Sequence, residues 1–542
     1  MKQSSTSPMR GALAVAGAVV LLGTSGSLLA APNDHSDGHP PQFTTIPMHD
    51  RMIGVEVQNG HVVFRPPLTE DVGGGEAPPS GQAPGGGHGG GGGGNVNDYG
   101  DPAGVAVAPN CFPNSTNNFD ATCAQDSYQG EPMLNADPVD GVLVGAENDI
   151  YPGNCSTSAA TGTFGDCGLS TAVSADGSSW QRFKLSRTYG GHTFVLSFDP
   201  SVAVDSHGQI FAAFGMSDSG NRAANGIAAA TSTDGGNTWT KTNAITLNLK
   251  GRVFDDKYWM AADDNVGSAF QDRLYVAWDR NDGNNQILFV SHSADQGQTW
   301  SSPLKINDGT SNFERVIGAF PAVAPDGTVY VLWHDYAADT LFIDKSTDGG
   351  ASFGSDVAVA NTHTGFGVDI GCNGGRSMSP AASMAIDPSG SIYVAYADSV
   401  QGGGFDVFLV KSTDGGATWS APKRVSATSA GEQYNPGVAY NASKGEVEVT
   451  YLDRRDDPAD CRTNTYLSSS TDNGATFTDT RVTDVGSVFD GNPNGPGDYG
   501  TVTALSGTTY PYFADHRDAN AAVDDNAGTT DGGFEIYSGV QP

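Results

Sequence analysis

The sequence predicts an all-β chain, a β-propeller of four-stranded blades, with seven blades favoured and six as the alternative. Three observations lead there. One turn phrase recurs six times at spacings of 53 to 66 residues. A pair of apolar strands precedes each copy. The chain carries 73 Gly and 29 Pro yet remains 37% hydrophobic, so it is turn-rich without being disordered throughout.

The elements follow in chain order. Lys2 and Arg10 precede an apolar run from Ala12 to Leu22, then small residues up to Ala31. A positive end, a short apolar core and small residues read as a secretory signal over residues 1–31. Residues 32–103 form a leader. Within it, Val55 to Phe64 alternates around Asn59-Gly60, a hairpin signal, and the glycine tract from Gly85 to Gly94 is a flexible linker. Residues 104–542 hold the repeats. All six cysteines, Cys111, Cys123, Cys155, Cys167, Cys372 and Cys461, lie in the exported part, and an even count there favours disulfides. Cys111/Cys123 and Cys155/Cys167 make natural local loops, which leaves Cys372/Cys461 as a long-range pair. None has zinc-site spacing. The expected location is secreted or periplasmic.

The recurring phrase is best seen in Ser232-Thr-Asp-Gly-Gly-Asn-Thr-Trp239 and Ser412-Thr-Asp-Gly-Gly-Ala-Thr-Trp419, with further copies at Ser174, Ser293, Ser346 and Ser470. Its Asp accepts backbone N–H bonds inside a hairpin turn, Gly supplies positive φ, and the closing aromatic plugs the packing between sheets. Each unit therefore has three strands, the Asp turn and a fourth strand. The last unit, which opens at Tyr499, lacks a fourth strand. The expected donor is the N-terminal segment Gly104-Val-Ala-Val-Ala108, which would close the ring and remove its edges.

Twenty-seven Lys+Arg against 61 Asp+Glu give a formal charge of −34. Polyanions are repelled by such a surface, so no nucleic-acid partner and no anionic membrane is expected. No apolar run beyond the first thirty residues spans a bilayer. A monomer is the expected state.

The Ser-x-Asp-x-Gly-x-Thr-Trp phrase resembles the Asp-box, or bacterial neuraminidase repeat, of the sialidase-like superfamily of propellers, and the likeness covers roughly residues 104–540. True sialidases of that superfamily are six-bladed. They hold a substrate carboxylate with three arginines and use a Tyr nucleophile paired with Glu and an Asp acid/base. The only counterpart here of their first arginine motif is Phe64-Arg65-Pro66, cut off from the blades by the glycine tract.

Topology decides which residues can meet. Loops joining second to third strands, and loops entering first strands, share the face opposite the Asp turns. The first set contains Asp279-Arg280, Asp453-Arg454-Arg455-Asp456 and Asp515-His516-Arg517-Asp518. The second contains Glu131, Asp199, Arg252 with Asp255-Asp256-Lys257, and Asp498-Tyr499. Arginine grips carboxylates with a planar fork, and carboxyl groups serve as acid and base, so this mixture suits an acidic sugar. The resemblance then implies roles. Arg280, Arg455 and Arg517 form an anion clamp with Arg252, Asp279 and Asp453 beside it; Tyr499 is the nucleophile-like residue; Glu131 is its partner across the ring closure; and Asp256 is the general acid. The alternative for these residues is structural: repeated Asp as loop ties, Asp453-Arg454-Arg455-Asp456 as a salt-bridge lattice, Tyr499 as an aromatic wedge. No cofactor or catalytic metal is expected. Structural calcium is compatible with the acidic loops, although no twelve-residue calcium loop is present. The expected function is an exported sialidase-like glycoside hydrolase removing a terminal acidic sugar from a glycan or polysaccharide. The alternatives are a non-catalytic glycan- or protein-binding propeller and a polysaccharide lyase.

Overall fold

The computed structural model describes residues 55–58, 61–64, 105–106, 118–121, 128–150, 168–218, 223–283, 285–309, 315–363, 370–372, 381–399, 404–489, 495–516 and 535–542. Cys111, Cys123, Cys155 and Cys167 lie outside them, as does Arg517. The described elements are all strands, and among them no helix is long and apolar enough to cross a membrane.

Seven antiparallel sheets form the propeller. Their first strands are Tyr128–Asp137, Leu196–Val204, Phe254–Ala262, Val316–Val323, Ser383–Ile386, Gln433–Asn441 and Thr501–Leu505. Successive first strands neighbour one another, and the seventh neighbours the first, so they ring a common axis. Second strands are almost wholly buried, as in Ile210–Ser217 and Leu274–Asn281, because both faces of an inner strand lie against adjacent blades. Aromatic and aliphatic side chains fill the wedges between sheets. Trp239, Phe214 and Tyr189 pack between blades 1 and 2; Trp278, Phe198 and Tyr258 pack between blades 2 and 3.

Each Ser–Asp turn carries a repeated set of hydrogen bonds. In blade 2 the Ser232 hydroxyl donates to Asp234 Oδ1 (2.8 Å) and accepts from Gly236 N (2.9 Å), while Thr238 N donates to Asp234 Oδ1 (2.8 Å). Gly236 has φ +83°, and a Cβ there would sit 2.4 Å from Val173 Cγ1 of blade 1, so this turn needs glycine twice over. Bonds from Ser and Thr hydroxyls and amides hold the carboxyls of Asp348, Asp414 and Asp472 down at about 2. These turns lie at the end of the molecule opposite the loops that enter the first strands.

Ring closure differs from the expected route. Val105–Ala106 pairs with Gln181–Arg182 and forms a fifth, outermost strand of blade 1. The ring is closed instead by Asn118–Asp120, which pairs with Glu535–Gly539 of blade 7. The physical reason is Asn118, whose fully buried amide bridges the neighbouring blade. It donates to Val482 O (2.9 Å) and accepts from Asp484 N (3.2 Å), bonds that Gly104-Val-Ala-Val-Ala108 has no polar side chain to make. Across the closure, the Tyr512 hydroxyl donates to Glu147 Oε2 (3.1 Å) and the Tyr512 ring packs on Trp180 at 5.6 Å. The Val55 to Phe64 region forms a two-stranded sheet in which Val55 faces Phe64.

Candidate functional site

A backbone irregularity recurs at one level of the ring. The pairing of first with second strand slips between Gly130 and Met133, Phe198 and Ser201, Asp256 and Trp259, Ile317 and Phe320, and Tyr434 and Gly437. Each slip contains one residue with positive φ: Glu131 (55°), Asp199 (50°), Lys257 (44°), Gly318 (75°) and Asn435 (51°). Bulges of this kind re-aim a side chain, and a positive φ at a non-glycine residue is costly enough to need support from its surroundings. Proline follows Glu131, Asp199 and Asn435 and by itself favours extended backbone at the preceding residue, so the positive φ there is held by the surroundings.

Three bulge residues and one neighbour converge. Lys257 Nζ lies 2.8 Å from Asp498 Oδ2, 3.0 Å from Asp199 Oδ2 and 3.7 Å from Glu131 Oε1. Four blades (7, 1, 2 and 3) thus meet at one ammonium whose side chain is only 2% exposed. Burial alone would lower the Lys257 pKa, but the carboxylates of Asp199, Asp498, Glu131 and Asp256 hold it well above the ordinary lysine value. Asn148 ties two members together, donating to Glu131 Oε2 (2.7 Å) and accepting from Asp199 N (2.8 Å). Gly497 passes so close that a Cβ there would sit 2.6 Å from Glu131.

Two further carboxyls lie beside this hub. Asp256 and Asp279 face each other across the first two strands of blade 3. Asp256 Oδ1 accepts from Lys257 N (2.9 Å), while its Oδ2 is buried without a hydrogen-bond partner. Neither oxygen of Asp279 has a hydrogen bond of normal geometry, although the Gly318 amide dipole lowers its proton affinity. Burial pushes both carboxyls up: Asp256 against the pull of Lys257, and Asp279 further, with the Asp256 charge adding to it. Tyr499 is buried beside them, its ring 5.2 Å from that of Trp259; burial, then the charges of Asp199 and Glu131, push its hydroxyl well above the usual range. Trp259 and Tyr499 also line an axial channel of about 540 Å³, which runs past Met260 and Phe320 towards the turns at Val139 and Val266.

The structure therefore brings together Tyr499, Glu131, Asp256 and Asp279. The arginines stand elsewhere. Arg280 grips Asp255 through Nε (2.5 Å) and Nη2 (2.9 Å) and lies over the Phe289 ring. Asp255 is shared with Thr246, Asn248 and Trp278. Arg455 binds Asp453 (2.6 Å) and Asp479 (2.5 Å) and stacks on Tyr466 at 4.2 Å. Arg252 is exposed at the link into blade 3. Both described clamp arginines, Arg280 and Arg455, are thus committed to carboxylates of their own blades. Reading the sequence by loops placed Lys257, Asp199 and Asp498 near the mouth without selecting them. The signal that selects them is position: each immediately precedes a Pro or aromatic, Pro200, Tyr258 or Tyr499, at the bulge of a first strand or just before one.

At the same end, Cys372 and Cys461 form a disulfide (Cα–Cα 5.1 Å). Arg454, fully buried, stacks over Tyr434 and donates to Ile370 O (3.0 Å), Asp460 O (3.2 Å) and Cys372 O (3.3 Å), which fixes the backbone around that bridge.

No family model matches the chain, and no curated protein matches it. Among solved structures it is similar to a protein of unknown function from Dyadobacter fermentans (15% identity over 63% of this chain and 94% of that one, TM-score 0.42). It is also similar to an alpha-L-arabinanase of Penicillium chrysogenum complexed with arabinobiose (15%, 62% and 92%, TM-score 0.42) and to the intramolecular trans-sialidase of Ruminococcus gnavus (14%, 76% and 94%, TM-score 0.39). Likeness at this level says nothing about chemistry.

Proposed function

We propose that the protein is an exported glycoside hydrolase that removes a terminal sugar from a glycan, with its acid/base chemistry on the carboxyl cluster around Lys257. One observation carries the reading. Asp256 and Asp279, paired across two strands and pushed towards the protonated form, sit beside the three carboxylates that share the Lys257 ammonium. A carboxyl pushed towards its protonated form is what a general acid needs near neutral pH. Asp256, with a free buried oxygen, is the proton donor; Glu131 is the base; Tyr499 stands between them and the channel. Export rests on the N-terminal signal pattern and agrees with a disulfide. For an acidic sugar, the clamp would fall to Arg252 and Arg517, since Arg280 and Arg455 hold partners of their own.

The test is turnover of a panel of chromogenic glycosides, sialosides and arabinosides included. Asp256→Asn lowers kcat by about 100-fold or more in a folded protein if Asp256 is the acid. Arg455→Ala leaves KM unchanged if no acidic group docks there. A second reading, a non-catalytic glycan-binding propeller, is favoured by the near-complete burial of Lys257, Glu131 and Asp498. No turnover on the panel, with glycan retained on the wild-type protein, would establish it.

A further inference from the structure

The opposite end of the ring holds a second polar cluster. The turn joining the first two strands of blade 2 contains Asp205-Ser206-His207, and the corresponding loop of blade 3 contains Asp272. Asp199 and Asp205 lie on one strand and its end, six residues apart, so this cluster stands about 20 Å from the Lys257 hub at 3.3 Å per residue.

Each carboxylate has one oxygen fixed by amide or hydroxyl donors, and the other turned to the cluster. Asp205 Oδ1 accepts the amides of His207 (2.9 Å) and Gln209 (2.9 Å). Its Oδ2 is buried with no hydrogen-bond partner, on a residue only 2% exposed. Asp272 Oδ1 accepts Ser206 N (3.1 Å) and Ser206 Oγ (2.6 Å), and Gln271 Nε2 in turn donates to that hydroxyl (2.8 Å). Asp272 Oδ2 faces His207 Nδ1 at 3.1 Å. One ligand atom from each of Asp205, His207 and Asp272 can be chosen so that all lie within 4.8 Å of one another.

An ion pair between His207 and Asp272 does not explain this arrangement, because it leaves Asp205 Oδ2 desolvated and unpaired, which is unfavourable for a buried carboxylate oxygen. A cation placed among the three groups removes that cost. The donor set of one imidazole nitrogen and two carboxylate oxygens suits Zn²⁺ and its neighbours; Ca²⁺ and Mg²⁺ prefer oxygen ligands throughout. The bonds to the other carboxylate oxygens supply the outer support that orients metal ligands.

We propose that Asp205, His207 and Asp272 bind a divalent transition cation of the Zn²⁺ type, which staples blade 2 to blade 3 on the face of the Ser–Asp turns. His207 is 69% exposed, so it can be removed without disturbing the core.

The full chain, stripped with chelator, is titrated with ZnCl2 by calorimetry and then unfolded thermally with and without the metal. The wild type takes up one equivalent more than His207→Ala and Asp272→Asn, and Zn²⁺ raises its Tm by several degrees but leaves both variants unmoved. Co²⁺ in the wild type gives a visible ligand-field band that His207→Ala loses. Equal Zn²⁺ stoichiometry and equal Tm shifts in wild type and His207→Ala overturn the proposal. So does stabilisation by CaCl2 that His207→Ala retains, since the imidazole then has no part in the site.

Discussion

Replacing Lys257 with methionine keeps the length and apolar stem of the side chain and removes only its charge. Asp498 and Asp199, at 2.8 and 3.0 Å, then lose the ammonium that compensates for their burial. A carboxylate left in that position takes up a proton rather than stay charged. Starting from an unfolded value of about 3.9, neutralising one carboxyl at pH 7 costs about 4 kcal/mol at 1.36 kcal/mol per unit, and neutralising both costs about 8. The lower figure matches the usual penalty of about 3–5 kcal/mol for breaking a buried pair by removing one partner. At pH 5 the same arithmetic gives about 1.5 kcal/mol per carboxyl. In the wild type Lys257 is raised above its ordinary value, so its stabilisation is fully present below about 10.5 and is lost only at higher pH. In the variant, folded carboxyls bind protons more readily than unfolded ones, so its stability is greatest in acid and falls as pH rises. Urea unfolding of both proteins from pH 5 to pH 8 reads the difference as a gap in midpoint that widens with pH. A gap below about 1 kcal/mol at pH 7, or one that does not change with pH, would refute the assignment of Lys257 as the charge that holds this cluster.

Asp279 carries a carboxyl raised by burial, so its contribution has the same sign in a lower window: it is most favourable below the usual carboxylate value and declines as pH climbs through the raised one. Asp279→Asn is therefore more stable than the wild type at pH 8 and converges with it below about pH 4, as read from Tm across that range. Cys372 and Cys461 close a loop with a separation of 89 residues, so the Cys372→Ser/Cys461→Ser variant loses about 4–5 kcal/mol by the chain-entropy relation. Urea midpoints with and without reductant check this, since reductant lowers the wild type towards the variant by that share and leaves the variant itself less affected.

The parts of the fold that repeat were the parts legible in the chain. A phrase such as Ser412 to Trp419 encodes its own turn, because the bonds among Ser412, Asp414, Gly416 and Thr418 are local, and six copies fix the strand order around each. Ring closure was not legible in the same way. Asn118–Asp120 has only three residues and no alternation, and its defining bond reaches a carbonyl 364 positions away. Gly104 to Ala108 reads better as a strand, and its described part, Val105–Ala106, sits on the outer edge of blade 1. Among candidate site residues, Glu131, Asp256, Asp279 and Tyr499 could be placed because strand order alone brings them to one end of the ring, although Glu131, Asp256 and Asp279 lie on strands rather than in the loops expected. The arginines could not, because Asp255, Asp453 and Asp479, which bind Arg280 and Arg455, come from paired strands whose register decides which side chains meet.

The bulges themselves explain why the hub is one-sided. The same backbone slip in blades 4 and 6 is occupied by Gly318 and Asn435, and the Asn435 amide simply donates to Gly497 O (3.0 Å). A neutral residue is thus sufficient for the bulge, and charge is not a requirement of the ring. Glu131 and Asp199 nonetheless occupy the bulges of blades 1 and 2, Lys257 occupies that of blade 3, and Asp498 adds its carboxylate from blade 7. Gathering three carboxylates on the axis would be prohibitive without the ammonium, and the ammonium would be equally costly without them. The bulge itself requires neither half, since Gly and Asn occupy it in blades 4 and 6. The charged arc is therefore an addition to a scaffold whose own needs are met without it, and in the proposed hydrolase it is this arc, not the Ser–Asp turns, that carries the chemistry.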